Sequence, residues 1–243
     1  MPLPVDQHLA ARFDRDFNAL ASRVMALGGL VEQQTRQAVQ ALLACDAPGA
    51  GRVVENEAEV DRLELEIDRE LCSAICRRQP KASELRLLTA MARTTSNLER
   101  VGDEAERIAR GVQSLLQHHE GQLGPGELQP AADLASAQLR RALDAFARLD
   151  TAGALAVLRE DRTLDEEFER FLASVSARMA GQPRCVPTGV DLVLVAKAIE
   201  RIGHHAKDIA ESIIYIVQGA DVRHAGPEGW TDAVMPRRHA NEP

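Results

Sequence analysis

The sequence predicts an all-α protein made of two tandem, pseudo-symmetric three-helix bundles. The first observation is compositional: aromatic residues make up 3% of the 243 residues, with one Trp and one Tyr. Proteins built from β-strands use more aromatic and β-branched side chains, so this low share favours helices. The second observation is a hydrophobic period of alternately three and four residues, which is typical of helix packing seams. The third is an internal repeat, which gives the fold its two halves.

The repeat is visible in two pairs of segments that occur in the same order. Residues 99–109 read Glu-Arg-Val-Gly-Asp-Glu-Ala-Glu-Arg-Ile-Ala. Residues 200–210 read Glu-Arg-Ile-Gly-His-His-Ala-Lys-Asp-Ile-Ala, at an offset of 101 positions. Further upstream, matches between residues 36–61 and residues 140–165 occur at an offset of 104. The difference between the offsets corresponds to a three-residue deletion in one loop, so the sequence indicates a duplicated unit.

Three helices are predicted in the first half, residues 1–120. Asp46 as N-cap and Pro48 in the first turn favour the start of the second helix. That helix ends before Pro80, because the residue ahead of a proline disfavours α geometry. Ser83 is a suitable N-cap for the third helix. The expected bounds are about Phe13–Leu43, Asp46–Arg77 and Ser83–Gln117.

The second half repeats this order after a linker. Residues 121–130 begin Gly-Gln-Leu-Gly-Pro-Gly, a linker composition. Thr188 with Asp191 resembles a capping box for the last helix, which Gly219 would end. The rest, residues 220–243, is rich in Gly and Pro and is expected to be a flexible tail. The second half spans residues 131–219, with helices expected at about Ala131–Leu149, Gly153–Met179 and Thr188–Val217.

The third helix of each half has a narrow apolar stripe. Such stripes are typical of coiled-coil packing, and short loops between long helices make neighbouring helices antiparallel. The two stripes have identical register within the repeat. They consist of Leu98, Val101, Ala105, Ile108, Val112 and Leu115, and of Ile199, Ile202, Ala206, Ile209, Ile213 and Ile216.

Charge and apolar content exclude several classes of protein. The chain has 29 Lys and Arg against 37 Asp and Glu, a net charge of −8, and it shows no basic stripe for nucleic acid. Four cysteines in a chain of this length do not form a disulfide framework. Met1–Arg15 lacks the apolar segment of a signal peptide, and the most apolar run, Val190–Val195, is far shorter than a membrane span. We therefore expect a cytoplasmic protein that does not span the membrane.

The candidate site residues are pairs four positions apart, which stand one above the other on a helix. Glu57 and Asp161 are expected on the shoulder of the buried stripe, and the third-helix pairs on the outer side of the bundle. Two facing pairs would supply four hard oxygen ligands, and carboxylates so close together favour a divalent or trivalent cation between them. The pairs are Glu57 with Asp61, Glu99 with Asp103, Asp161 with Asp165, and Glu200 with His204.

Two alternatives compete with metal binding. Acidic residues four apart are common on solvated helices, where they pair with neighbours such as Arg62, Arg100 and Arg201, so a metal-free structural or chaperone-like adaptor is one alternative. A metal-dependent helical-bundle enzyme is the other. The sequence contains no Glu-x-x-His pair, no phosphate-binding glycine loop and no nucleophile elbow, which favours a protein that is not an enzyme.

The repeated motif resembles the signature helices of the PhoU family of phosphate-uptake regulators. The resemblance rests on residues 97–109 and 199–219, with a doubled Glu-Arg-hydrophobic-Gly motif, and on residues 25–32 of the first helix. It extends from about Phe13 to Gly219. It implies two related three-helix bundles with multinuclear iron or zinc clusters on their surface. It also implies repression of the phosphate-starvation response, through contact with the ATPase subunit of the phosphate ABC transporter and its sensor histidine kinase.

Carried onto this chain, the family's Glu/Asp-x-x-x-Asp motifs fall on the eight residues of the pairs above. His204 is a departure, since the family has Asp at this position. An imidazole still binds zinc or iron but brings no negative charge. We expect the second cluster to be emptier than the first, or to prefer zinc. A homodimer is also expected.

Overall fold

The computed structural model is all-α over residues 4–78, 80–117 and 124–234, which are the residues that the structure describes. The prediction of an all-α protein is confirmed over these ranges. Short 3-10 turns, Pro125–Leu128 and Pro183–Cys185, precede the fourth and sixth helices. The helices are α1 (Pro4–Ala44), α2 (Ala47–Arg78), α3 (Ala82–Leu115), α4 (Gln129–Arg148), α5 (Thr151–Gly181), α6 (Val186–Gln218) and α7 (Pro227–Val234).

The first six helices form two three-helix bundles in tandem, as predicted. Helices α1, α2 and α3 pack on one another, and α4, α5 and α6 do the same. The most extensive contact in the described part of the chain is between α3 and α6, one from each bundle. Because the third helices of both halves meet there, their side chains have neighbours on more than one side. The division into units at residues 1–120 and 131–219 remains a prediction.

The turn between the first two helices has the same conformation in both halves. Cys45 and Leu149, related by the offset of 104, both adopt the left-handed region, with φ of 51° and 50°. The next amide, of Asp46 or Asp150, donates to the carbonyl of Ala41 or Ala145 at 2.9 Å. This pattern terminates the first helix of each half. The two halves therefore share this turn conformation, in agreement with the internal repeat.

Two expected helix starts are wrong by a few residues. Lys81, not Ser83, is the N-cap of α3, and its backbone amide donates to the Glu84 side chain at 2.8 Å. Thr188 lies inside α6 rather than at its start, since the 3-10 turn ahead of the helix leads directly into Val186. Asp191 accepts a hydrogen bond from Ser114 Oγ of α3 at 2.8 Å. Asp191, which the sequence predicted to cap α6, therefore links α6 of the second half to α3 of the first.

The apolar stripes of α3 and α6 form the core, as expected from their spacing. Leu98, Val101, Ile199 and Ile202 are fully buried or nearly so. The residues predicted to form the buried faces of α2 and α5 are buried as well. They include Val53, Val60 and Ile67 on α2, and Val157, Leu164 and Val175 on α5.

The tail prediction is wrong for its first part. Helix α7 occupies residues 227–234 and packs on α5 and α6, with Trp230 against the core. Val222, ahead of it, is buried as well. These apolar side chains stabilise the packed segment, although its glycine and proline content favours a flexible chain. Residues 235–243 lie outside the described residues, as do residues 121–123 of the expected linker.

The glycine of the repeated Glu-Arg-hydrophobic-Gly motif allows the second and third helices to approach each other. A Cβ on Gly102 would lie 2.9 Å from Glu57 Oε1, and a Cβ on Gly203 would overlap the side chain of Leu164. Gly203 also faces Gln138 Oε1, at 2.6 Å from the position of such a Cβ. Leu164 and Gln138 are both buried, so neither has free space to move into.

We therefore expect Gly203→Ala to lower the free energy of unfolding by about 1–3 kcal/mol, as for other overpacked cores. The matched control is Gly29→Ala on α1, where an added Cβ meets nothing within 4 Å. That change should raise stability by about 0.5–1 kcal/mol, since alanine loses less backbone entropy than glycine. Urea unfolding of both variants measures the difference. Equal effects would show that close helix approach is not the reason for the glycine.

Candidate metal centres

The pairs of the first half form one cluster between α2 and α3, which we call the N-terminal acidic cluster: Glu57, Asp61, Glu99 and Asp103. Burial raises the pKa of both Glu57 and Glu99, and the charges of Asp103 and Asp61 add to the rise of each. The two glutamates therefore lie on the same side of the bundle and share neighbours. No three of these four side chains place ligand atoms within 4.8 Å of one another, so they would have to move closer together to share a cation.

Glu57 is the most buried member of this cluster. Its residue surface is 7% exposed, and Gln34 Nε2 donates a hydrogen bond to its Oε2. Its Oε1 is buried without a hydrogen-bond partner. Burial raises the pKa of Glu57 to about 7; the Gln34 hydrogen bond opposes this, and the charges of Asp103, Asp61 and Glu106 add to it. A buried carboxylate oxygen without a donor is costly, and a cation would relieve that cost.

The pair on α3 does not lie fully on the outer side of the bundle. Glu99 and Asp103 are half-buried. Burial and the nearby carboxylates of Asp103, Glu64 and Asp61 raise the pKa of Glu99. Arg107 Nη2 lies 4.0 Å from Asp103 Oδ2 at the edge of the cluster. The face that a single bundle would leave in solvent is partly covered here.

The second half brings three of its four predicted ligands into one group between α5 and α6. Ligand atoms of Asp161, Asp165 and His204 all lie within 4.8 Å of one another. Among the described residues, this is the one set of three or more His, Cys, Asp or Glu side chains that meets this limit. His204 Nε2 is 3.0 Å from Asp165 Oδ1 and 3.9 Å from Asp161 Oδ1. We call this group the C-terminal cluster.

The prediction that the α6 pair lies on the outer side of the bundle is wrong for Glu200, which is buried. It is 6% exposed and forms an ion pair with Lys197, one turn earlier on the same helix. The cause is tertiary: α6 packs against α3 as well as against α4 and α5, so little of its surface stays in solvent. Glu200 is not part of the close group formed by Asp161, Asp165 and His204.

A cation that the sequence interpretation missed lies in the C-terminal cluster. Lys207 Nζ donates to Asp161 Oδ2 at 2.6 Å and lies 5.9 Å from the centroid of the Trp230 ring. Burial by itself lowers the pKa of Lys207, but the hydrogen bond and the charge of Asp161 outweigh burial, and the pKa is raised. The aligned position in the first half is Glu106. This reversal of charge is visible in the repeat and was the available signal.

The polar partner of the buried carboxylate also differs between the halves. Gln34 and Gln138 are related by the offset of 104. Gln34 binds Glu57, whereas both side-chain polar atoms of Gln138 are buried without a hydrogen-bond partner. In the second half Lys207 contacts the equivalent carboxylate, Asp161, instead. The buried carboxylate is therefore stabilised by a neutral amide in the first half and by an ammonium group in the second.

The donor sets determine what each cluster can hold. The N-terminal acidic cluster offers four carboxylates, a hard oxygen set that suits iron or another small cation of high charge. The C-terminal cluster offers two carboxylates and an imidazole, a set that zinc accepts, but Lys207 already neutralises Asp161. Both donor sets fit a metal. The charge available to attract one is greater in the first half.

The fold and these clusters define a class of protein: a duplicated three-helix bundle with a buried carboxylate between the second and third helices of each half. A family model described as the PhoU domain matches residues 24–112 and again residues 128–213. The chain belongs to the PhoU family. The two matches correspond to the two halves of the repeat.

Relatives of similar length support this assignment. A Burkholderia protein named phosphate-specific transport system accessory protein PhoU homolog is 42% identical, over 92% of this chain and 96% of its own. The protein named phosphate-specific transport system accessory protein PhoU from Escherichia coli K12 is 35% identical, over 92% of each chain. The crystal structure of PhoU from Pseudomonas aeruginosa matches with a TM-score of 0.83 and 36% identity, covering 86% of this chain and all of that one.

Within the described ranges, no helix is both long enough and apolar enough to cross a bilayer. The names of the relatives assign them to a phosphate transport system as accessory proteins.

Proposed function

We propose that this protein is a negative regulator of phosphate uptake and of the phosphate-starvation response. It acts in the cytoplasm as a metal-binding adaptor between the ATPase subunit of the phosphate ABC transporter and its sensor histidine kinase. One observation carries the proposal: both halves match the PhoU domain. The acidic side chains that the second and third helices bring near one another in the first half, and the group of Asp161, Asp165 and His204 in the second, support the metal-binding part. The names of the relatives support the link to phosphate transport.

In the first half, Glu57, Asp61, Glu99 and Asp103 would hold the metal. A bound cation would neutralise the carboxylates and give Glu57 Oε1 the partner that it lacks. Because α2 and α3 each supply ligands, the metal would also fix one helix relative to the other. In the second half, Asp161, Asp165 and His204 are the ligands, with Glu200 directed to Lys197 instead.

The adaptor role rests on rigidity and charge. Long antiparallel helices form a broad surface that changes little on binding, which lowers the entropy lost when a partner docks. The acidic side chains and any bound metal alter the charge of that surface, and charge complementarity selects partners and speeds their encounter. Metal occupancy would thus adjust partner binding without catalysis.

The test is capture of the purified transporter ATPase by the full-length protein, with and without chelator. The matched variants are Glu99→Gln and its repeat equivalent Glu200→Gln. We expect chelator to weaken capture at least tenfold. Glu99→Gln should lose most of its metal, as measured by mass spectrometry of the elements, whereas Glu200→Gln should lose much less because Glu200 is paired with Lys197.

Circular dichroism of both variants controls for unfolding. Absence of capture in every condition would reject the adaptor role. Capture that is unchanged by chelator would reject the role of metal but keep the adaptor. Equal metal loss from the two variants would contradict the difference between the halves.

A further inference from the structure

Two cavities of similar size flank the contact between α3 and α6, and the internal repeat relates them. Their volumes are about 510 and 520 Å³, which is within the range of small-molecule sites. The first, which we call the anion pocket, is lined by Arg93, Asn97, Arg100, Asp208, Glu211 and Ser212. The offset of 101 carries these positions onto residues that line the second, the equivalent pocket: Leu194, Ala198, Arg201, Arg107, Arg110 and Gly111.

In the equivalent pocket the arginines are already neutralised. Arg107 and Arg201 both bond to Glu104 Oε1, at 2.6 and 3.2 Å. Arg110 bonds to Glu106 at 2.6 Å. An anion entering this pocket would have to displace these ion pairs. The equivalent pocket therefore serves as an internal reference for a site without a ligand.

The anion pocket has the opposite character. The guanidinium of Arg93 stacks 5.0 Å from the centroid of the Tyr215 ring. Among the residues that the structure describes, neither Arg93 nor Arg100 forms an ion pair. Two further cations line the pocket, Lys207 and Arg223, but they pair with Asp161 and with Asp221. Two guanidinium groups thus remain available to an incoming anion.

A buried acceptor lies among these donors. Glu211 lines the pocket, is 5% exposed, and makes no hydrogen bond or ion pair with any described residue. Asp208, the other acidic residue of the lining, is half exposed, with Oδ2 4.0 Å from His205 Nδ1. A largely buried carboxylate without a protein donor is poorly solvated, so a ligand that supplies a donor would stabilise it. The pocket lacks one partner of each kind, an anion for the arginines and a hydrogen-bond donor for Glu211.

We propose that the anion pocket binds a phosphate group that carries a proton, as inorganic phosphate does near neutral pH. Arg93 and Arg100 donate to the unprotonated oxygens, since guanidinium groups match the geometry of phosphate. At pH 8, above the raised pKa of Glu211 of about 7, its carboxylate is ionised and accepts a hydrogen bond from the P–OH group that hydrogen phosphate still carries. Sulfate has the same shape and no proton under these conditions, so it leaves Glu211 unpaired. The pocket selects phosphate over sulfate for that reason.

The anion pocket borders the C-terminal cluster, since His204 and Lys207 also line it, but the proposal requires no bound metal. It is tested on chelator-treated protein at pH 8 by isothermal titration calorimetry, with inorganic phosphate, sulfate and glycerol 3-phosphate as separate probes. We expect phosphate to bind at least tenfold more tightly than sulfate. Glycerol 3-phosphate distinguishes the source: tighter binding of this monoester assigns the pocket to phosphorylated metabolites, and tighter binding of inorganic phosphate assigns it to the free ion.

The repeat supplies the matched control. Arg100→Gln should weaken phosphate binding at least about tenfold, as expected for loss of a charged hydrogen bond, while its equivalent Arg201→Gln leaves it unchanged. Glu211→Gln should reduce the preference for phosphate over sulfate at least tenfold, because an amide can donate to either ion. Thermal melting of each variant confirms that it is folded.

Three results would overturn the proposal. The first is no heat of binding with phosphate or the monoester, and the second is equal weakening by Arg100→Gln and Arg201→Gln. The third is a preference for phosphate over sulfate that is unchanged in Glu211→Gln. None of these results bears on capture of the transporter ATPase, so the two proposals fail separately.

Discussion

Replacing Lys207 with methionine is expected to lower the free energy of unfolding of the metal-free protein by about 2–3 kcal/mol. Asp161 would then remain buried with its carboxylate unpaired, because its side chain is 9% exposed and Lys207 supplies its close cation at 2.6 Å. Breaking a fully buried ion pair costs roughly 3–5 kcal/mol, and Lys207, at 28% exposure, places this pair somewhat below that range. Urea unfolding measures the change.

The control for this prediction is the double variant Lys207→Met with Asp161→Asn. Removing both charges should restore most of the lost stability, since no buried charge is left alone. Zinc should restore the single variant more than the parent protein, because a divalent cation can then occupy the place of the ammonium group beside Asp161. A single variant as stable as the parent, or one that is indifferent to zinc, would show that Lys207 does not act as a built-in cation.

Replacing Glu211 with glutamine is expected to remove a pH-dependent loss of stability. Burial raises the pKa of Glu211 to about 7 from its ordinary value of 4.5. The negative charges of Asp208, Asp161 and Asp221 add to this rise, and the positive charge of Lys207 opposes it. The folded protein therefore binds more protons than the unfolded chain between about pH 4.5 and pH 7. Stability from this group falls as pH rises through that window and stays low above it.

The size of this effect follows from the shift. Each pKa unit corresponds to about 1.4 kcal/mol, so Glu211→Gln should be more stable than the parent by roughly 2–3 kcal/mol at pH 8. Near pH 4.5 the two proteins should be equally stable. Urea unfolding from pH 4.5 to pH 8 measures both, with exposed Glu169→Gln as the control that should show no such divergence. Parallel stability curves for Glu211→Gln and the parent would contradict the prediction.

Both expected results express one property of the molecule, the different treatment of charge in its two halves. The first half keeps its carboxylates together, with Gln34 as a neutral partner of Glu57. The second half replaces one acidic ligand by His204 and places Lys207 where the first half has Glu106. The duplicated fold therefore carries two clusters of unequal charge.

The helices and their order could be predicted from the sequence because they depend on local periodicity. The stripe from Leu98 to Val112 needs only the geometry of one helix to identify its buried face. The burial of Glu57 and Asp161 was predictable for the same reason, from their angle to the stripe. The tail was not, since α7 is stabilised by packing of Trp230 on other helices rather than by its own composition.

The sequence by itself determined the repeat, the six long helices and the identity of the paired acidic residues, since these are properties of spacing along one chain. Only the tertiary structure decided that α3 packs on α6, which leaves Glu200 buried. It also decided that Lys207 reaches Asp161 and that Glu211 lies unpaired in a cavity. These outcomes depend on contacts between residues far apart in the chain. Whether a buried charge is stabilised depends on which side chains the packing places beside it.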